Sequence, residues 1–280
     1  MTSIESKLII AEILNKDELF KDTNKTISLL THSEVLKMIE IIDFEKGIGS
    51  QDAIICIDHK SNGMDMPDGF QYLKKLRTQR LIEQKHISKT TKNYLNYSQF
   101  KLINEGIKSL KHLFAKDDTS KTIILKEHYN GILKKQDVII RANKNKPFKI
   151  PNDDTNFDHD SCNIIIDLNL LQEVAKAIKI LNKKTIRKII KLLLENEALS
   201  VNEIHKQLDD EKKKTNEVIE DYYHVTLNKA TISAKLIELE KIGVVNSKRD
   251  VRIRYKSLLV DQCSKYFEFI KNLSVSISIK

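Results

Sequence analysis

The sequence has little of what makes tight turns, disulfide frameworks or membrane spans. Only seven of its 280 residues are glycine and three are proline, so we expect long regular elements rather than a loop-rich chain. Its three cysteines, Cys56, Cys162 and Cys263, are odd in number and far apart. This spacing argues against a disulfide framework and fits a reducing compartment. We find no signal peptide and no long apolar span, and therefore expect a cytoplasmic chain without membrane segments.

Motifs of catalysis and metal binding are also missing. The sequence contains no phosphate-cradling glycine loop, no nucleophile elbow and no zinc signature. Asp58, Asp65 and Asp68 with Lys74 match the paired carboxylates and lysine of a nuclease poorly. The acidic run 152–161 has irregular ligand spacing, which favours a solvated linker over a metal site. We predict no enzymatic activity, no metal and no cofactor.

Positive charge exceeds negative charge by nine, and the isoelectric point is about 9.2. A basic balance favours polyanionic partners. Residues 101–150 carry an excess of seven positive charges and residues 183–280 an excess of six, whereas residues 151–182 between them have an excess of four negative charges. The sequence thus predicts two basic regions separated by an acidic spacer.

Residues 228–255 form the most informative stretch. Apolar residues recur there at spacings of four and three, which predicts one face of a helix. Asn228 can cap the start of that helix, because its side-chain oxygen can accept a backbone N–H of the first turn. Gly243 can adopt the left-handed conformation that ends it. The β-rich segments 244–247 and 251–255 then predict a basic two-stranded hairpin.

A helix followed by a basic hairpin is typical of the DNA-contacting end of a winged helix-turn-helix. Short polar and cationic side chains on an exposed helix face can approach base edges and phosphates. The alternative is an ordinary core helix with a solvated, charged hairpin. The residues predicted to contact DNA are Lys229, Thr231, Ser233 and Lys235 on the helix and Lys248, Arg249, Arg252 and Arg254 on the hairpin.

The preceding segments fit the same module. Residues 168–181 and 183–197 have helical periodicity. Ser200 and Glu203 have the spacing of a capping box, in which each side chain satisfies a backbone N–H of the other, and this predicts a helix over 201–208. Residues 209–225 form a highly charged insertion in place of a tight turn.

Residues 165–260 together resemble the ArsR-like winged-helix family. The resemblance implies a recognition helix that carries Lys229 to Lys235 and a wing that spans Lys248 to Arg254. It also implies a homodimer, with segments 168–181 and 261–273 packing across the two-fold axis. The cysteine pairs with which some members bind metal are absent, so we do not expect metal sensing.

The first part of the chain suggests a parallel sheet. Residues 7–13, 26–30 and 53–57 are short apolar runs that predict buried strands, and residues 33–42 and 69–81 have helical spacing. Strands alternating with helices are typical of an α/β layer.

Residues 7–112 resemble a degenerate two-component receiver domain. The resemblance places Asp58 at the end of the third strand as a phosphoacceptor and Glu12 near the acidic pair that holds magnesium. The loop between Asp58 and Gly69 is longer than usual, and one carboxylate of the pair is missing unless Asp17 replaces it.

The sequence therefore predicts an α+β protein. A receiver-like domain with a parallel sheet spans residues 1–115, and a β-containing basic segment with an acidic linker spans residues 116–162. A mostly helical winged helix-turn-helix and dimerisation domain spans residues 163–280. Within the first domain, residues 91–114 are expected to be helical.

Two functions follow from this organisation. The first is a dimeric, sequence-specific regulator of transcription that binds double-stranded DNA and receives a signal or partner through its N-terminal domain. The second is a replication, partition or mobile-element protein that uses the winged helix only to dock on DNA.

Overall fold

The computed structural model describes residues 3–45, 47–54, 66–87, 90–114, 122–124, 165–215, 228–250 and 253–278, which are mostly helical. The helices are α1 (Ser3–Leu14), α2 (Asp17–Leu30), α3 (Ser33–Phe44), α4 (Met66–Thr78), α5 (Tyr97–Leu110), α6 (Leu168–Leu181), α7 (Lys184–Glu195), α8 (Val201–Thr215), α9 (Lys229–Lys241) and α10 (Val260–Ser278). Residues 50–54 are also helical, and Lys111–Leu113 form a 3₁₀ turn.

The strands are short and all their pairings are antiparallel. They are β1 (Ile82–Ile87), β2 (Thr90–Leu95), β3 (Thr122–Ile124), β4 (Ile165–Asp167), β5 (Leu199–Ser200), β6 (Val245–Asp250) and β7 (Ile253–Leu258). β1 pairs with β2 and β3 pairs with β4, while the third sheet has the order β5-β7-β6.

The predicted receiver-like α/β domain is therefore wrong. Segments 7–13 and 26–30, expected as strands, lie within helices α1 and α2. Residues 53 and 54, expected to begin the central strand, are helical as well. Short apolar runs fit a buried helix as well as a buried strand, and here the helix is the outcome. The fold class is corrected from α+β with a parallel sheet to a mostly helical protein with small antiparallel sheets.

The elements group into two compact units. Unit 1 comprises Met1–Asn24, Ile107–Lys116 and Glu173–Val275, and unit 2 comprises Lys25–Gly106, Asp117–Gln172 and Ser276–Lys280. Helix α1 and the first part of α2 thus belong to the same unit as the C-terminal helices.

In unit 1, the N-terminal helices cover the apolar stripe of α10. Phe267 packs edge-on against Phe20 with ring centroids 5.4 Å apart. Thr23 Oγ1 lies 3.4 Å from the carbonyl of Ile270, to which it donates a hydrogen bond. The residues of the stripe, Cys263, Tyr266, Phe267, Ile270 and Leu273, are fully buried. The resemblance to the ArsR-like family implied a dimer interface at 261–273. Because the apolar stripe of this helix is buried within one chain, it gives that interface no support, and the homodimer stays a prediction.

The C-terminal elements predicted from sequence are present in unit 1. Helix α7 leads into β5, α8 starts directly after β5, and α9 lies against α8 and β6. The hairpin strands are longer than predicted, at 245–250 and 253–258 instead of 244–247 and 251–255. Helix α8 extends to Thr215, so the first part of the charged insertion continues that helix.

Unit 2 repeats the helix and hairpin of unit 1. Helix α4 and strands β1 and β2 have the lengths of α9, β6 and β7, and each residue lies 163 positions before its counterpart. The registers coincide, because Ile82 pairs with Leu95 as Val245 pairs with Leu258. We call residues 66–95 the N-terminal helix–hairpin and residues 229–258 the C-terminal helix–hairpin.

The turn that joins helix to strand is the same in both copies. The N–H of Leu81 donates to the carbonyl of Leu76 at 2.9 Å, and the N–H of Val244 donates to that of Leu239 at 3.0 Å. The residue before each of these donors has a positive φ, which is 53° at Arg80 and 70° at Gly243. These positions again differ by 163.

A third strand position also recurs. In unit 1, Leu199 of β5 pairs with Lys256 of β7. In unit 2, Ile48 forms an antiparallel bridge with Asn93, the counterpart of Lys256. A helical segment follows each position, α8 after β5 and residues 50–54 after Ile48. The same order of elements therefore occurs twice in the described chain: a helix, a strand position, two helical segments and a hairpin. The first helix of this series is α3 in unit 2 and α7 in unit 1.

Candidate nucleic-acid interface

The start and end of α9 are fixed as the sequence predicted. Asn228 Oδ1 accepts the backbone N–H of Thr231 at 2.8 Å, so Asn228 is the N-cap. Gly243 takes the left-handed conformation two residues after the helix ends. Ile232, Leu236 and Leu239 are fully buried, which turns the remaining sides of α9 toward solvent.

The exposed stripe of α9 is less polar than predicted. Its exposed residues at helical spacing are Ala230, Ala234, Ile237 and Lys241, and Ile237 is 45% exposed. Sequence reasoning treated the alanines as spacers and did not select Ile237 or Lys241. The periodicity of the sequence could have identified these positions, because they lie opposite the buried residues at spacings of four, three and four.

The four helix residues predicted to contact DNA lie in different settings. Lys229 is exposed at the first position of α9, and Ser233 is half-buried. The hydroxyl of Thr231 donates to Asn228 Oδ1 at 3.0 Å, so this side chain takes part in the cap. Lys235 is half-buried and its ammonium lies 3.1 Å from the carboxylate of Glu238. Thus Lys229 is exposed, whereas the other three of these four residues are half-buried.

Glu238 organises a small charged cluster beside the exposed stripe. It accepts hydrogen bonds from Lys235 at 3.1 Å and from Lys183, at the start of α7, at 2.9 Å. Partial burial raises the pKa of Glu238, but the hydrogen bonds from Lys183 and Lys235 outweigh it, so the pKa is lowered. The cluster ties α9 to the first helix of the module and holds Lys235 along the surface.

The hairpin carries exposed cations as predicted. Lys248 and Arg249 on β6 and Arg254 on β7 are exposed, and Arg249 stands directly opposite Arg254 in the register. Arg252 lies outside the described residues. Like charges at directly opposed strand positions repel each other, so positive charge is concentrated at this part of the hairpin.

An ion pair made by a buried lysine fixes the hairpin to α9. The ammonium of Lys256 on β7 lies 2.5 Å from the carboxylate of Glu240 and 3.2 Å from Ser247 Oγ. The Lys256 side chain is only 6% exposed. Since a buried ammonium needs both a charge partner and hydrogen bonds, this contact holds hairpin and helix in one geometry.

The capping box at the start of α8 is formed. The N–H of Ser200 donates to Glu203 Oε2 at 2.7 Å, and the N–H of Glu203 donates to Ser200 Oγ at 3.3 Å. Hydrogen bonds from the backbone and then from the side chain of Ser200 lower the pKa of Glu203. The helix that packs on α9 therefore starts where the sequence predicted.

The residues expected to form a phosphorylation site are not brought together by the described structure. Glu12 lies in α1, where Lys271 and Lys16 hydrogen-bond its carboxylate and lower its pKa. It is not at a strand end, and Asp58 lies outside the described residues. Asp17, the proposed substitute, bonds Arg187 of α7.

Across the described ranges, no group of three or more His, Cys, Asp or Glu side chains could hold a metal ion. None of the helices in the described part of the chain combines the length and apolarity of a membrane span. Cys263 is buried, and that burial raises the pKa of its thiol; Cys56 and Cys162 lie outside the described residues.

No family model matches the sequence, and no curated protein and no solved structure is significantly similar to it.

Proposed function

We propose that this chain is a sequence-specific, double-stranded-DNA-binding protein of the cytoplasm that regulates transcription. The exposed stripe of α9 would lie in the major groove, and the cations of the hairpin would contact phosphates. The observation that carries the proposal is Arg249 opposite Arg254, two exposed guanidinium groups beside an exposed helix face. Phosphate oxygens on DNA would relieve that repulsion and accept bidentate hydrogen bonds.

The shape of α9 supports groove binding. Small side chains at Ala230 and Ala234 let a backbone approach closely, and apolar groups such as Ile237 can contact the methyl group of thymine. The N-terminal part of a recognition helix contacts base edges in helix-turn-helix proteins. Lys229, exposed at the first position of α9, would then lie near phosphates or bases.

The salt dependence of binding tests the proposal. A fluorescent 30-bp duplex would be titrated with the chain and with the double variant Arg249→Ala/Arg254→Ala at several salt concentrations. Because each phosphate contact contributes about 0.9 to the slope of log K against log salt, we expect the slope to fall by about two. The charge-matched control is Lys7→Ala/Lys179→Ala, which removes two exposed cations from α1 and α6. Equal slopes for the variant and the control would contradict the proposal.

One observation favours the second candidate function, docking on DNA in replication, partition or mobile-element transfer. The helix and hairpin of unit 1 recur in unit 2 with the same register. A regulator that binds one palindrome as a dimer needs a single such module per chain, with half-sites about one helical turn apart. Footprint length separates the two candidates, because a chain with two DNA surfaces protects more than one palindrome.

A further inference from the structure

The N-terminal helix–hairpin presents its own set of side chains at the positions that are exposed in α9. Leu73 and Leu76 are fully buried, as are their counterparts Leu236 and Leu239. The same side of the helix therefore faces solvent in both copies. Along the exposed side of α4 lie Gln71, Lys74 and Thr78, at the positions of Ala234, Ile237 and Lys241.

Two of these side chains, Gln71 and Lys74, have the chemistry of base recognition. A glutamine can donate to N7 and accept from N6 of adenine in the sense required for a bidentate pair, and a lysine can donate to O6 and N7 of guanine. The α9 stripe contains two alanines and an isoleucine at its centre, so α4 is the more polar of the two helices. The two copies thus keep one backbone and differ in the bases they would select.

The hairpin of unit 2 also carries cations. Lys85 on β1 is exposed and pairs in register with the half-buried Lys92 on β2. Lys85 lies 5.3 Å from the ring centroid of Tyr94 and 3.9 Å from Glu83. Both members of the Lys85–Glu83 pair are more than half exposed, so that pair holds Lys85 only loosely and leaves its ammonium available to a phosphate.

Buried hydrogen bonds join α4 to the hairpin and to the third strand position. Asn93 is fully buried and its side-chain N–H groups donate to the carbonyl of Ile48 at 3.1 Å and to Ser50 Oγ at 3.1 Å. Its oxygen accepts from Arg77 Nε at 3.3 Å. Helix, hairpin and strand position are therefore joined at one buried residue, as Lys256 joins them in unit 1.

We infer that the N-terminal helix–hairpin is a second double-stranded-DNA-binding surface, with Gln71 and Lys74 contacting bases and Lys85 and Lys92 contacting phosphates. The inference rests on the proposed function of the C-terminal helix–hairpin and extends it, because one chain would recognise two separate blocks of base pairs. It also gives unit 2 a nucleic-acid partner in place of the signal expected from a receiver-like domain.

A selection experiment tests this inference on the full chain. The chain is used to enrich a random 40-bp duplex library, and its affinity for a fluorescent duplex of the selected sequence is then measured. We expect two blocks of preferred base pairs. Gln71→Ala/Lys74→Ala should lose one block and bind the original duplex about tenfold or more weakly. Ile237→Ala/Lys241→Ala should lose the other block.

Charge-matched controls separate the loss of a specific contact from the loss of positive charge alone. Lys101→Ala removes one exposed cation from α5 of unit 2, and it should keep both blocks and the original affinity. Lys85→Ala/Lys92→Ala should lower the salt slope by about two relative to Lys25→Ala/Lys101→Ala. Unchanged circular dichroism spectra and melting temperatures would show that the variants fold.

The two proposals fail in different ways. If Gln71→Ala/Lys74→Ala selects the original sequence with the affinity of Lys101→Ala, the second surface is overturned while the C-terminal surface stands. If the unmodified chain enriches no sequence, and Ile237→Ala/Lys241→Ala binds the 40-bp duplexes as tightly as the unmodified chain, the proposed function itself is overturned.

Discussion

Lys256 and Asn93 occupy the same place in the two helix–hairpins, but the polarity of the contact they make is reversed. Lys256 donates to Glu240 of α9 at 2.5 Å, whereas Asn93 accepts from Arg77 of α4 at 3.3 Å. Glu240 and Arg77 are themselves counterparts, 163 positions apart. Each copy therefore keeps one donor and one acceptor between its helix and its last strand.

This reversal predicts that the pair Glu240 and Lys256 can be replaced by the residues of the other copy, arginine and asparagine, if both are changed together. Glu240→Arg alone places a guanidinium beside a buried ammonium and should lower the free energy of unfolding by about 3 kcal/mol or more. Glu240→Arg with Lys256→Asn restores a donor and an acceptor. We expect the double variant to be more stable than the sum of the single changes by about 1–3 kcal/mol, measured by urea unfolding of all four proteins. Simple additivity would show that the two sites are not equivalent.

A second buried contact predicts how the N-terminal helices are held. Arg187 of α7 bonds the carboxylate of Asp17 at the start of α2, and its guanidinium lies 4.6 Å from the ring centroid of Phe20. Burial lowers the pKa of Arg187, while the charge of Asp17 opposes this effect. Asp17→Asn leaves a buried guanidinium without its counter-charge, and because Asp17 is about one-third exposed we expect a loss of roughly 2 kcal/mol.

Lys184→Ala is the matched control for that variant. Lys184 also approaches Asp17, at 3.7 Å, but its side chain is 63% exposed. Its removal should cost less than about 1 kcal/mol. Equal losses for Asp17→Asn and Lys184→Ala in urea unfolding would contradict the assignment of Arg187 as the main partner.

Because the apolar stripe of α10 is buried within one chain, we expect stability to depend on this packing and not on protein concentration. Phe20→Ala removes the ring that packs on Phe267 and should destabilise the chain by about 3–5 kcal/mol. If α10 is covered within one chain, the midpoint of thermal unfolding should not change with protein concentration over a hundredfold range. A midpoint that rises with concentration would instead show that association of chains contributes to stability.

The capping box predicts a pH dependence of stability. The folded-state pKa of Glu203 is lower than its unfolded value, so its contribution is fully present above about pH 4.5. That contribution is lost as the pH falls through the lowered folded-state pKa. Glu203→Gln should therefore flatten the decline of unfolding free energy on the acidic side of pH 5. Lys206→Ala, an exposed change on the same helix, should leave the slope unaltered.

Ile237 predicts a preference for thymine. If its side chain contacts a thymine methyl group, replacing that thymine by uracil should weaken binding by about 0.8 kcal/mol, or roughly fourfold. Ile237→Ala should abolish the difference between the two duplexes. The measurement is a four-way comparison of chain and variant on thymine and uracil duplexes. A uracil effect that is the same for Ile237→Ala would place Ile237 away from the bases.

The C-terminal module was accessible from sequence because its signals are local. The N-cap at Asn228, the capping box at Ser200 and the left-handed turn at Gly243 each depend on neighbouring residues. The prediction for the N-terminal half was wrong because apolar runs such as 7–13 have no periodicity that separates helix from strand. The resemblance to a receiver domain, which has a parallel sheet, then favoured strands.

The repeat of the helix–hairpin was not predicted from the sequence, for a different reason. The turn after α9 is marked by Gly243, but its counterpart is Arg80, which gives no sign of a left-handed backbone. The buried polar position changes from Lys256 to Asn93, and the exposed stripes have different residues at every matched position. What remains common is a set of buried leucines, among them Leu76 and Leu239, and such positions are too general to show a duplication.

Unit 1 contains α1 and the first part of α2 together with nearly all of α10. During synthesis, Ile10, Ile13 and Phe20, which are fully buried in the finished unit, therefore emerge long before α10 exists to cover them. Completion of unit 1 must wait until α10 has left the ribosome. A fragment cut within the acidic run 152–161 would separate α1 and α2 from α10 and expose apolar surface on both pieces, so the C-terminal module cannot be isolated by trimming the N-terminus.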